Sequence, residues 1–486
     1  MAADLASITG MTAPTELLIG GQWSPGRAGV IPVIDPATED PIAEVANATA
    51  DDALDAVAAA HGALAGWAAT APRVRAECLR RAYELMIADA EPLARLMVME
   101  NGKALRDARA EITYAAEFFR WFAEEAVRLN GMVATAPSGA NRILVQHQPV
   151  GVAVLVTPWN FPAAMATRKI GPALAAGCTV VLKPAKETPL SALAVAAILA
   201  QAGVPDGVVN VLPTKSPGPV VGAMLADPRV RKLSFTGSTE VGRMLLRTAS
   251  DTVTNCSMEL GGNAPFLVFA DADINAAVDG AMIAKMRNGG EACTAANRFY
   301  VHEAVAAEFS AKLAARLSAL NVGPGLDDGT DLGPLVNADT RDKVASLVQA
   351  AADDGGKLVT GGSAPDRRGY YYTPTVLDDV PVTAGILNEE IFGPVAPIVR
   401  FTDTDQAIKL ANNTEYGLVS YLYTTDLRRA LQVAESLEAG MIGINRGVVS
   451  DPAAPFGGVK QSGLGREGGH EGLLEFTETK YIAVDW

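Results

Sequence analysis

Cysteine and histidine are scarce in this chain, and their spacing argues against two common kinds of site. The 486 residues include four cysteines and four histidines. The cysteines show no paired spacing and no C-x-x-C motif, so neither a disulfide framework nor a zinc cluster is indicated, and a reducing, cytoplasmic location is expected. The histidines lie far apart without metal-ligand spacing, and no metal is expected. They are His61, His147, His302 and His470.

Positive charge is also in short supply. Lysine and arginine number 40 against 55 aspartates and glutamates, which gives a net charge of −15. This balance argues against nucleic acid and anionic membranes as partners, although a small anionic ligand needs only a local basic pocket. No apolar run approaches the roughly 18 residues that span a bilayer, and the N-terminus lacks the pattern of a secretory signal. The remaining composition is that of a globular protein of two or three structural units.

From residue 150 onward, strand-like and helix-like segments alternate regularly. This alternation predicts a parallel sheet with helices on both faces, in which ligands bind beyond the carboxyl ends of the strands. The TPWNFP, LKPAK and FTGSTE junctions are therefore expected along one edge. The predicted strands are GVAVLV (151–156), TVVLKP (179–184), VVNVLP (208–213) and KLSFTG (232–237).

A second βα-rich stretch runs from APFLVF (264–269) through about residue 450, and two segments belong to neither unit. Residues 141–151, NRILVQHQPVG, alternate like an exposed hairpin, and the C-terminal FTETKYIAVDW is a further edge-type strand. Because the edge of a sheet can recruit another strand, both segments are candidates for pairing across subunits.

The stretch NGGEACTAANR, residues 288–298, holds Cys293 among small and polar neighbours. A thiol becomes a nucleophile when it is accessible and its pKa is lowered. The neighbours supply access and a flexible backbone but no evident cation. A catalytic and a structural interpretation of Cys293 therefore both remain open, whereas the other three cysteines are interpreted as small core residues.

Two further side chains have patterns that suit catalysis. Glu259 lies in MELGGNAPF at the edge of an apolar segment, where burial would raise the carboxyl pKa and suit a general base. The alternative is a solvated glutamate at a strand end. Asn160, in TPWNFP, is placed to donate to a developing oxyanion or to cap the next helix.

The segment GSTEVG (237–242) opens a helix after a strand, where backbone N–H groups can hold a phosphate. It does not match G-x-G-x-x-G and is weak as a dinucleotide signature. Lys183, just past a strand, is placed either to reach ribose hydroxyls or to be a surface lysine.

The order of these motifs resembles the aldehyde dehydrogenase superfamily from LLIGGQW (17–23) to TKYI (479–482). The motifs that carry the resemblance are TPWNFP, LKPAKETPLSAL, FTGSTEVG, MELGGNAPF, the Cys293 loop, NEEIFGPV (388–395) and PFGGVKQSGLGREGG (455–469).

The resemblance implies an α/β fold with a Rossmann-like parallel-sheet cofactor domain, an α/β catalytic domain and a small β oligomerisation element. The cofactor domain is placed at residues 1–128 and 150–261, and the catalytic domain at 262–455. Residues 129–149 and 467–486 are assigned to the oligomerisation strands, and a homodimer or homotetramer is expected.

The resemblance also implies a reaction. Cys293 attacks the aldehyde as a thiolate, and Asn160 with the Cys293 backbone N–H holds the oxyanion. Hydride passes to a nicotinamide, and Glu259 activates the water that hydrolyses the thioester to a carboxylic acid. Lys183 is assigned to the adenosine ribose, Gly237 and Ser238 to the pyrophosphate, and Glu390 to the nicotinamide ribose. The full cofactor-binding set is Trp159, Lys183, Lys186, Gly237, Ser238, Leu260, Glu390 and Phe392.

One departure bears on the choice of cofactor. Members that prefer NAD often read K-P-[AS]-E, where the glutamate repels a 2′-phosphate, but the fourth residue here is Lys186. A cation attracts the phosphate, so NADP is predicted to be used in preference to NAD. The alternative is that Lys186 points into solvent and Glu187 compensates.

Three positions bear on the substrate. Arg168, Arg287 and Ser450 are similar to the residues with which succinate-semialdehyde dehydrogenases grip a distal carboxylate. Two guanidiniums can fork a carboxylate, and without an anion they are costly to desolvate. Succinate semialdehyde is therefore predicted as the substrate, with glutarate or oxoglutarate semialdehyde next. The alternative is that one arginine pairs with an internal acid and leaves a broad-specificity aldehyde site.

Two departures and two competing functions complete the sequence picture. Ala295 occupies the position where many such enzymes have a second cysteine, so no local disulfide switch is expected. Arg446 replaces a commonly acidic or neutral residue. A structural protein without catalysis is disfavoured because Cys293, Glu259 and Asn160 occur together. Glu259 also favours hydrolysis over transfer of the acyl group to CoA.

Overall fold

The computed structural model describes residues 2–485, with side chains from Leu5 onward, and two large sheets organise it. Met1 and Trp486, which the predicted domain boundaries include, lie outside the described residues. Within the described part, no helix is both long and apolar enough to cross a membrane.

The first sheet has eight strands in the order β19-β11-β10-β7-β8-β9-β1-β2. Its central strands β11, β10, β7, β8 and β9 are parallel, and the outer strands β19, β1 and β2 run antiparallel to their neighbours. The strands are β1 (Leu17–Ile19), β2 (Gln22–Ser24), β7 (Val152–Val156), β8 (Thr179–Lys183), β9 (Val209–Val211), β10 (Val230–Thr236), β11 (Asn255–Glu259) and β19 (Gly463–Leu464).

Helices cover both faces of this sheet because its central strands are apolar on both sides. Val154 and Val181 pack with the helices of one face, and Leu155 and Leu182 with those of the other. The first face carries α2 (Ala50–Ala69), α8 (Pro217–Ala226) and α9 (Thr239–Ser250). The second carries α3 (Pro72–Ala88), α4 (Ala90–Asn101), α5 (Leu105–Glu125), α6 (Pro162–Ala176) and α7 (Pro189–Gln201), and α1 (Ala2–Thr9) packs against α4.

The second sheet has seven strands in the order β14-β15-β16-β13-β12-β17-β18 and is parallel except for β14. Its strands are β12 (Ala264–Val268), β13 (Ala296–His302), β14 (Lys357–Thr360), β15 (Thr375–Asp378), β16 (Val395–Phe401), β17 (Val419–Tyr423) and β18 (Met441–Ile444). Its helices are α10 (Ile274–Met286), α11 (Glu303–Ser318), α12 (Ala338–Asp353), α13 (Thr404–Asn412) and α14 (Leu427–Ser436). The two sheets confirm the predicted α/β class.

A third sheet is formed by the two segments that the sequence separates from both units. The strands β5 (Met132–Thr135), β6 (Arg142–Pro149) and β20 (Thr477–Val484) lie in the order β20-β6-β5. The hairpin expected within residues 141–151 is wrong, because residues 142–149 form the single strand β6. This strand makes a hairpin with β5 and pairs along its full length with β20 of the same chain. The backbone hydrogen bonds of β6 are thus made within the chain, to β20 on one side and β5 on the other. In this sheet only the outer edges of β5 and β20 are open to pairing with a second subunit. The small elements β3 (Val30–Ile34), β4 (Pro41–Ala46) and α15 (Gly469–Leu474) complete the fold.

Candidate active site

The carboxyl ends of four adjacent parallel strands bring the predicted residues together. Asn160 follows β7, Lys183 ends β8, Gly237 follows β10 and Glu259 ends β11. Because these strands lie in the order β11-β10-β7-β8, all four residues lie at one edge of the sheet. The expected common edge of the junctions is confirmed.

A cavity of about 280 Å³ opens at this edge and receives residues from both sheets. Cys293 enters it from the turn before β13. Eight predicted residues line the cavity: Trp159, Asn160, Gly237, Ser238, Leu260, Cys293, Glu390 and Phe392.

Cys293 is half-buried and has no disulfide partner. A Cβ on Gly262 would lie 2.3 Å from the Cys293 carbonyl oxygen, so only glycine fits beside this turn. Burial raises the pKa of the Cys293 thiol to about 12, while the positive charges of Arg168 and Arg287 lower it. The two arginines supply the cations that the sequence neighbours of Cys293 lack.

Asn160 is 4% exposed, and its Nδ2 donates to the carbonyl oxygen of Glu291 over 3.1 Å. Its Oδ1 has no hydrogen-bond partner among the described residues. It does not cap α6, because Glu111 Oε1 accepts the N–H groups of Ala163 and Ala164 at the start of that helix. The helix-cap alternative is therefore wrong, and one of the two Nδ2 protons has no acceptor among the described residues.

Glu259 is 2% exposed, and its Oε2 lacks a hydrogen-bond partner among the described residues. Burial raises the pKa of this carboxyl well above its usual value, and the negative charge of Glu467 raises it further. The alternative of a solvated strand-end glutamate is wrong.

A second cavity of about 370 Å³ continues from the first, since both are lined by Gly237 and Ser238. Lys183 and Lys186 line its far side. Burial lowers the pKa of Lys183 to about 8, so this lysine is enclosed by the groove and is not a surface residue. The continuous groove has the form that an extended dinucleotide requires, with a buried end at Cys293 and an open end at Lys186.

The closed end of the groove has a carboxylate and two aromatic rings. Glu390 Oε1 accepts the Gly262 N–H over 3.2 Å, and burial raises the Glu390 pKa to about 7. The rings of Trp159 and Phe392 meet edge to face with centroids 5.4 Å apart. These residues fit a nicotinamide riboside, because they combine an acceptor for hydroxyls with flat apolar walls.

The open end of the groove carries two lysines, the predicted Lys186 and Lys215, which the sequence analysis missed. The side chain of Lys186 is 58% exposed, and its Nζ lies 3.8 Å from Glu187 Oε1. Lys215 is exposed and lines the same groove. It follows β9, the neighbour of β8, so the strand-end rule that singled out Lys183 would have found it.

Arg287 and Ser450 lie together as the sequence predicts. Arg287 Nη1 donates to Ser450 Oγ over 3.2 Å. The guanidinium lies over the rings of Phe161 and Tyr114, at 5.0 and 5.5 Å from their centroids. No acidic side chain among the described residues forms a salt bridge with it, although its charge acts on the carboxyl of Asp107, where it opposes the rise in pKa that burial causes.

Arg168 has a different environment. It is 1% exposed, its Nε lies 2.5 Å from Glu467 Oε2, and its guanidinium stacks on Phe456 at 4.3 Å. Lys169 forms an ion pair with the same carboxylate. One arginine thus pairs with an internal acid, as the alternative for the substrate site envisaged, and Glu467 was not singled out by its sequence context.

Tyr114 is a second residue that the sequence analysis missed. Burial raises its pKa, and the charges of Arg168 and Arg287 oppose this shift, in agreement with the position of the Arg287 guanidinium 5.5 Å from the centre of the Tyr114 ring. Arg446, by contrast, is exposed and donates to the Val448 carbonyl. Ala295 is buried, and no group of metal-ligating side chains occurs among residues 5–485.

The comparison with known families agrees with this geometry. Residues 23–482 match the model of the aldehyde dehydrogenase family. The chain belongs to the aldehyde dehydrogenase family. Its aldehyde dehydrogenase fold explains why Cys293 and Glu259 come from different sheets yet lie close enough for the Glu259 charge to act on the Cys293 thiol.

Curated relatives of this aldehyde dehydrogenase include enzymes for acid-bearing aldehydes. It is 58% identical to the succinate-semialdehyde dehydrogenase of Paenarthrobacter nicotinovorans, over 91% of this chain and 98% of the relative. It is 47% identical to the succinate-semialdehyde dehydrogenase [NADP(+)] GabD of Escherichia coli K12, over 96% and 97%. A glutarate-semialdehyde dehydrogenase of Pseudomonas putida KT2440 is 48% identical, over 96% and 97%.

Solved structures with the same fold include an NADP-dependent enzyme and a complex with NAD⁺. An NADP-dependent enzyme of E. coli matches this aldehyde dehydrogenase with a TM-score of 0.96 and 46% identity, over 100% of this chain and 99% of the other. An NAD⁺ complex of a Bacillus cereus aldehyde dehydrogenase matches with a TM-score of 0.96 and 34% identity, over 100% and 99%.

Proposed function

We propose that this enzyme oxidises succinate semialdehyde to succinate, with NADP preferred to NAD as the hydride acceptor. The observation that carries the proposal is the Arg287–Ser450 pair, whose positive charge acts on the Cys293 thiol at the cavity that Asn160 also lines. The named activities of the relatives agree with it.

Cys293 acts as the nucleophile in this proposal. Cys293 gives up its proton to solvent, and the thiolate, which the charge of Arg168 stabilises, attacks the aldehyde carbon and forms a thiohemiacetal. Asn160 Nδ2 and the Cys293 backbone N–H hold the oxygen that becomes negative. A bound nicotinamide would supply the hydride acceptor with which the thiohemiacetal is oxidised to a thioester on Cys293. Glu259 then removes a proton from the water that hydrolyses the thioester, for which its raised pKa suits it.

The groove residues would hold the cofactor along its length. Glu390 would accept hydrogen bonds from the nicotinamide ribose, beside the rings of Trp159 and Phe392 and next to Leu260. Gly237 and Ser238 would hold the pyrophosphate at the start of α9, and Lys183 the adenosine ribose.

The substrate carboxylate would bind chiefly to Arg287 and Ser450. Each hydrogen bond between ionised partners contributes roughly 1.5–3 kcal/mol. Arg168 already balances Glu467, so its contribution would come from the guanidinium edge that faces Tyr114. The Tyr114 hydroxyl would be a further donor to the same carboxylate.

A comparison of two aldehydes of equal carbon number tests the substrate. We expect kcat/KM for succinate semialdehyde to exceed that for butanal by about 100-fold or more, which corresponds to roughly 2.7 kcal/mol. Near-equal values would overturn the carboxylate proposal and leave an aldehyde dehydrogenase of broad specificity.

Glutarate semialdehyde is the second candidate, because a relative of similar identity bears that name. Parallel measurements with the four- and five-carbon acids decide between them. A fixed Arg287–Ser450 pair favours one chain length, so the preferred acid should show the lower KM.

The preference for NADP rests on two lysines. Lys186 and Lys215 line the open end of the groove, where the 2′-phosphate of NADP would lie. Their charges exceed that of Glu187, which alone would repel the phosphate. A kcat/KM for NAD equal to or above that for NADP would overturn this assignment.

The predicted domain boundaries and a homodimer or homotetramer also belong to this proposal. The outer edges of β5 and β20 would pair with, or pack on, another subunit. Sedimentation of the purified enzyme tests it, since a monomer at micromolar concentration would contradict it.

Four free cysteines agree with a reducing, cytoplasmic location.

A further inference from the structure

The backbone carbonyl of Asn160 accepts two hydrogen bonds from side chains outside its own loop. Lys103 Nζ and Asn288 Nδ2 each donate to this oxygen over 2.8 Å. The strand β7 ends before Asn160 and the helix α6 begins after it, so neither element fixes this peptide group by itself. Side chains from two distant segments do so instead.

Lys103 brings a buried counter-charge with it. Its side chain is 2% exposed, and its Nζ lies 2.5 Å from Oε2 of the fully buried Glu111. Glu111 Oε1 accepts the N–H groups of Ala163 and Ala164. This ion pair therefore holds the loop on both sides, at the Asn160 carbonyl and at the first turn of α6.

Asn288 links the same loop to the turn that carries Cys293. Its backbone has φ +54°, a left-handed conformation that asparagine tolerates better than most residues. Its Nδ2 donates to the Glu291 carbonyl over 3.0 Å as well as to Asn160. The Glu291 oxygen is also the acceptor of Asn160 Nδ2, so Asn288 ties together the backbone, the side-chain amide and the cysteine turn.

We propose that Lys103, Glu111 and Asn288 are positioning residues that hold the Asn160 amide in the orientation needed by an oxyanion donor. The proposal rests on the proposed role of Asn160. An oxyanion donor accelerates a reaction because it is oriented before charge develops, and supporting contacts must fix it within about 0.5 Å. Two donors on one carbonyl remove the freedom of the Asn160 peptide to rotate.

The first test is a double-mutant cycle on Asn160→Ala and Asn288→Gly. Glycine keeps the left-handed backbone of residue 288 and removes both hydrogen bonds. We expect Asn288→Gly to lower kcat by about 10- to 100-fold with little change in KM, because loss of one oxyanion donor costs about 100- to 1000-fold. Added to Asn160→Ala, the same change should lower kcat by less than about threefold, because coupled residues are not additive.

The second test neutralises the ion pair without leaving a lone buried charge. Lys103→Met with Glu111→Gln keeps an acceptor for the N–H groups of α6 and removes the donor to Asn160. We expect kcat to fall by about 10-fold, and Lys103→Arg in the natural background to retain more activity than Lys103→Met. The rate at which iodoacetamide alkylates Cys293 should stay unchanged in every variant, because alkylation uses no oxyanion.

Asn210 provides a matched control. It is a fully buried amide whose Nδ2 also donates to two backbone carbonyls, those of Val180 and Gly207, in the far part of the first sheet. We expect Asn210→Ala to lower Tm but not kcat.

The outcomes separate the two proposals. Full kcat in Asn160→Ala overturns the role of Asn160 itself. Two outcomes overturn only the positioning role, provided that kcat falls strongly in Asn160→Ala. In the first, kcat is unchanged in Asn288→Gly. In the second, the losses of kcat in the two single variants multiply in full in the double variant. Equal loss of kcat and of alkylation rate in Asn288→Gly also overturns it, since that pattern indicates a disordered cysteine turn.

Discussion

The two ends of the groove differ in how much solvent reaches their polar groups. At the Cys293 end, Asn160 and Glu259 are at most 4% exposed, and their neighbours come from distant parts of the chain. At the adenosine end, Lys186 is 58% exposed in its side chain, and its carboxylate neighbour Glu187 lies 3.8 Å away. One end is enclosed by protein, and water reaches the other freely.

This difference predicts the size of each residue's effect. In an enclosed site a removed group is not replaced by water, and electrostatic interactions are strong because screening is weak. At an exposed site water and salt substitute in part for any lost charge. Effects on the reaction should therefore decrease from Cys293 towards Lys186.

The largest effect is expected for Glu259→Gln. We expect steady-state kcat to fall by about 100- to 10,000-fold, because the thioester loses the base that activates water. A burst of reduced cofactor, near one equivalent per site, should remain in rapid-mixing experiments, since acylation does not need this residue. Glu125→Gln, a buried carboxylate beside His470 and outside the cavity, is the control and should keep kcat. Loss of the burst would show that Glu259 acts before hydrolysis.

A smaller and more selective effect is expected for Arg287→Ala. We expect kcat/KM for succinate semialdehyde to fall by about 10- to 100-fold while that for butanal changes less than threefold, through loss of one charged hydrogen-bond pair. Arg316→Ala, an exposed arginine paired with Asp279, is the control. Equal losses on both aldehydes would show that Arg287 is structural.

Arg168→Ala should differ from Arg287→Ala, although the sequence alone treats the two arginines alike. The variant leaves Glu467 with Lys169 but without Arg168, and it raises the pKa of the buried Glu259 further, because one positive charge is lost. We therefore expect both aldehydes to lose activity by about 10-fold or more, with a lower Tm. A selective loss on the acid alone would show that Arg168 is a direct substrate ligand.

The pH dependence of cofactor use should reflect Glu390. Burial raises its pKa to about 7, so this carboxyl is protonated below that pH and becomes a charged acceptor above it. We expect kcat/KM for NADP to rise several-fold as pH increases through 7, since ionised acceptors form the stronger hydrogen bonds. Glu390→Gln should be lower throughout and flat over this range. A parallel rise in the variant would assign the titration to another group.

The smallest effect is expected at the exposed end. Lys186→Glu should lower kcat/KM for NADP by about 10-fold and leave NAD within threefold, and the change should shrink in high salt. Lys215→Glu should act in the same direction, and Lys357→Glu, an exposed lysine outside the groove, should have no effect. An unchanged ratio of NADP to NAD would contradict the role of both lysines.

Local patterns in the sequence predicted strands β7, β8, β9 and β10 of the eight-stranded first sheet, whereas Trp159, Leu260, Glu390 and Phe392 of the cavity lining were implied only by the family resemblance. Strand β7 is a continuous apolar run closed by a Pro-Trp-Asn junction, and helix α6 ends at Gly177, which has φ +99°. Such signals are contained within a few residues and survive any tertiary context. That Cys293 and Glu259 act at one site was implied by the family resemblance, because the residues next to each of them in the sequence do not indicate it.

The pairing of Arg168 with Glu467 was beyond sequence patterns. Lys169, the residue after Arg168, is 298 residues away from Glu467 in the sequence, and no periodicity links the two positions. The same holds for Lys103, Asn288 and Tyr114, whose neighbours look ordinary for a helix or a turn. Contacts between distant segments depend on how the two sheets pack, and only the three-dimensional structure reveals them.

The position of the last strands constrains how the protein is made. The short strand β19 forms an edge of the first sheet, Glu467 neutralises Arg168 and Lys169, and β20 covers β6. These contacts come from the last part of the chain, whereas most of the sheet is synthesised much earlier. A nascent chain held on the ribosome therefore carries an open sheet edge and two uncompensated buried cations. Completion of the active site must wait until β19 and Glu467 have been synthesised, and a chain that stops before β19 cannot reach it.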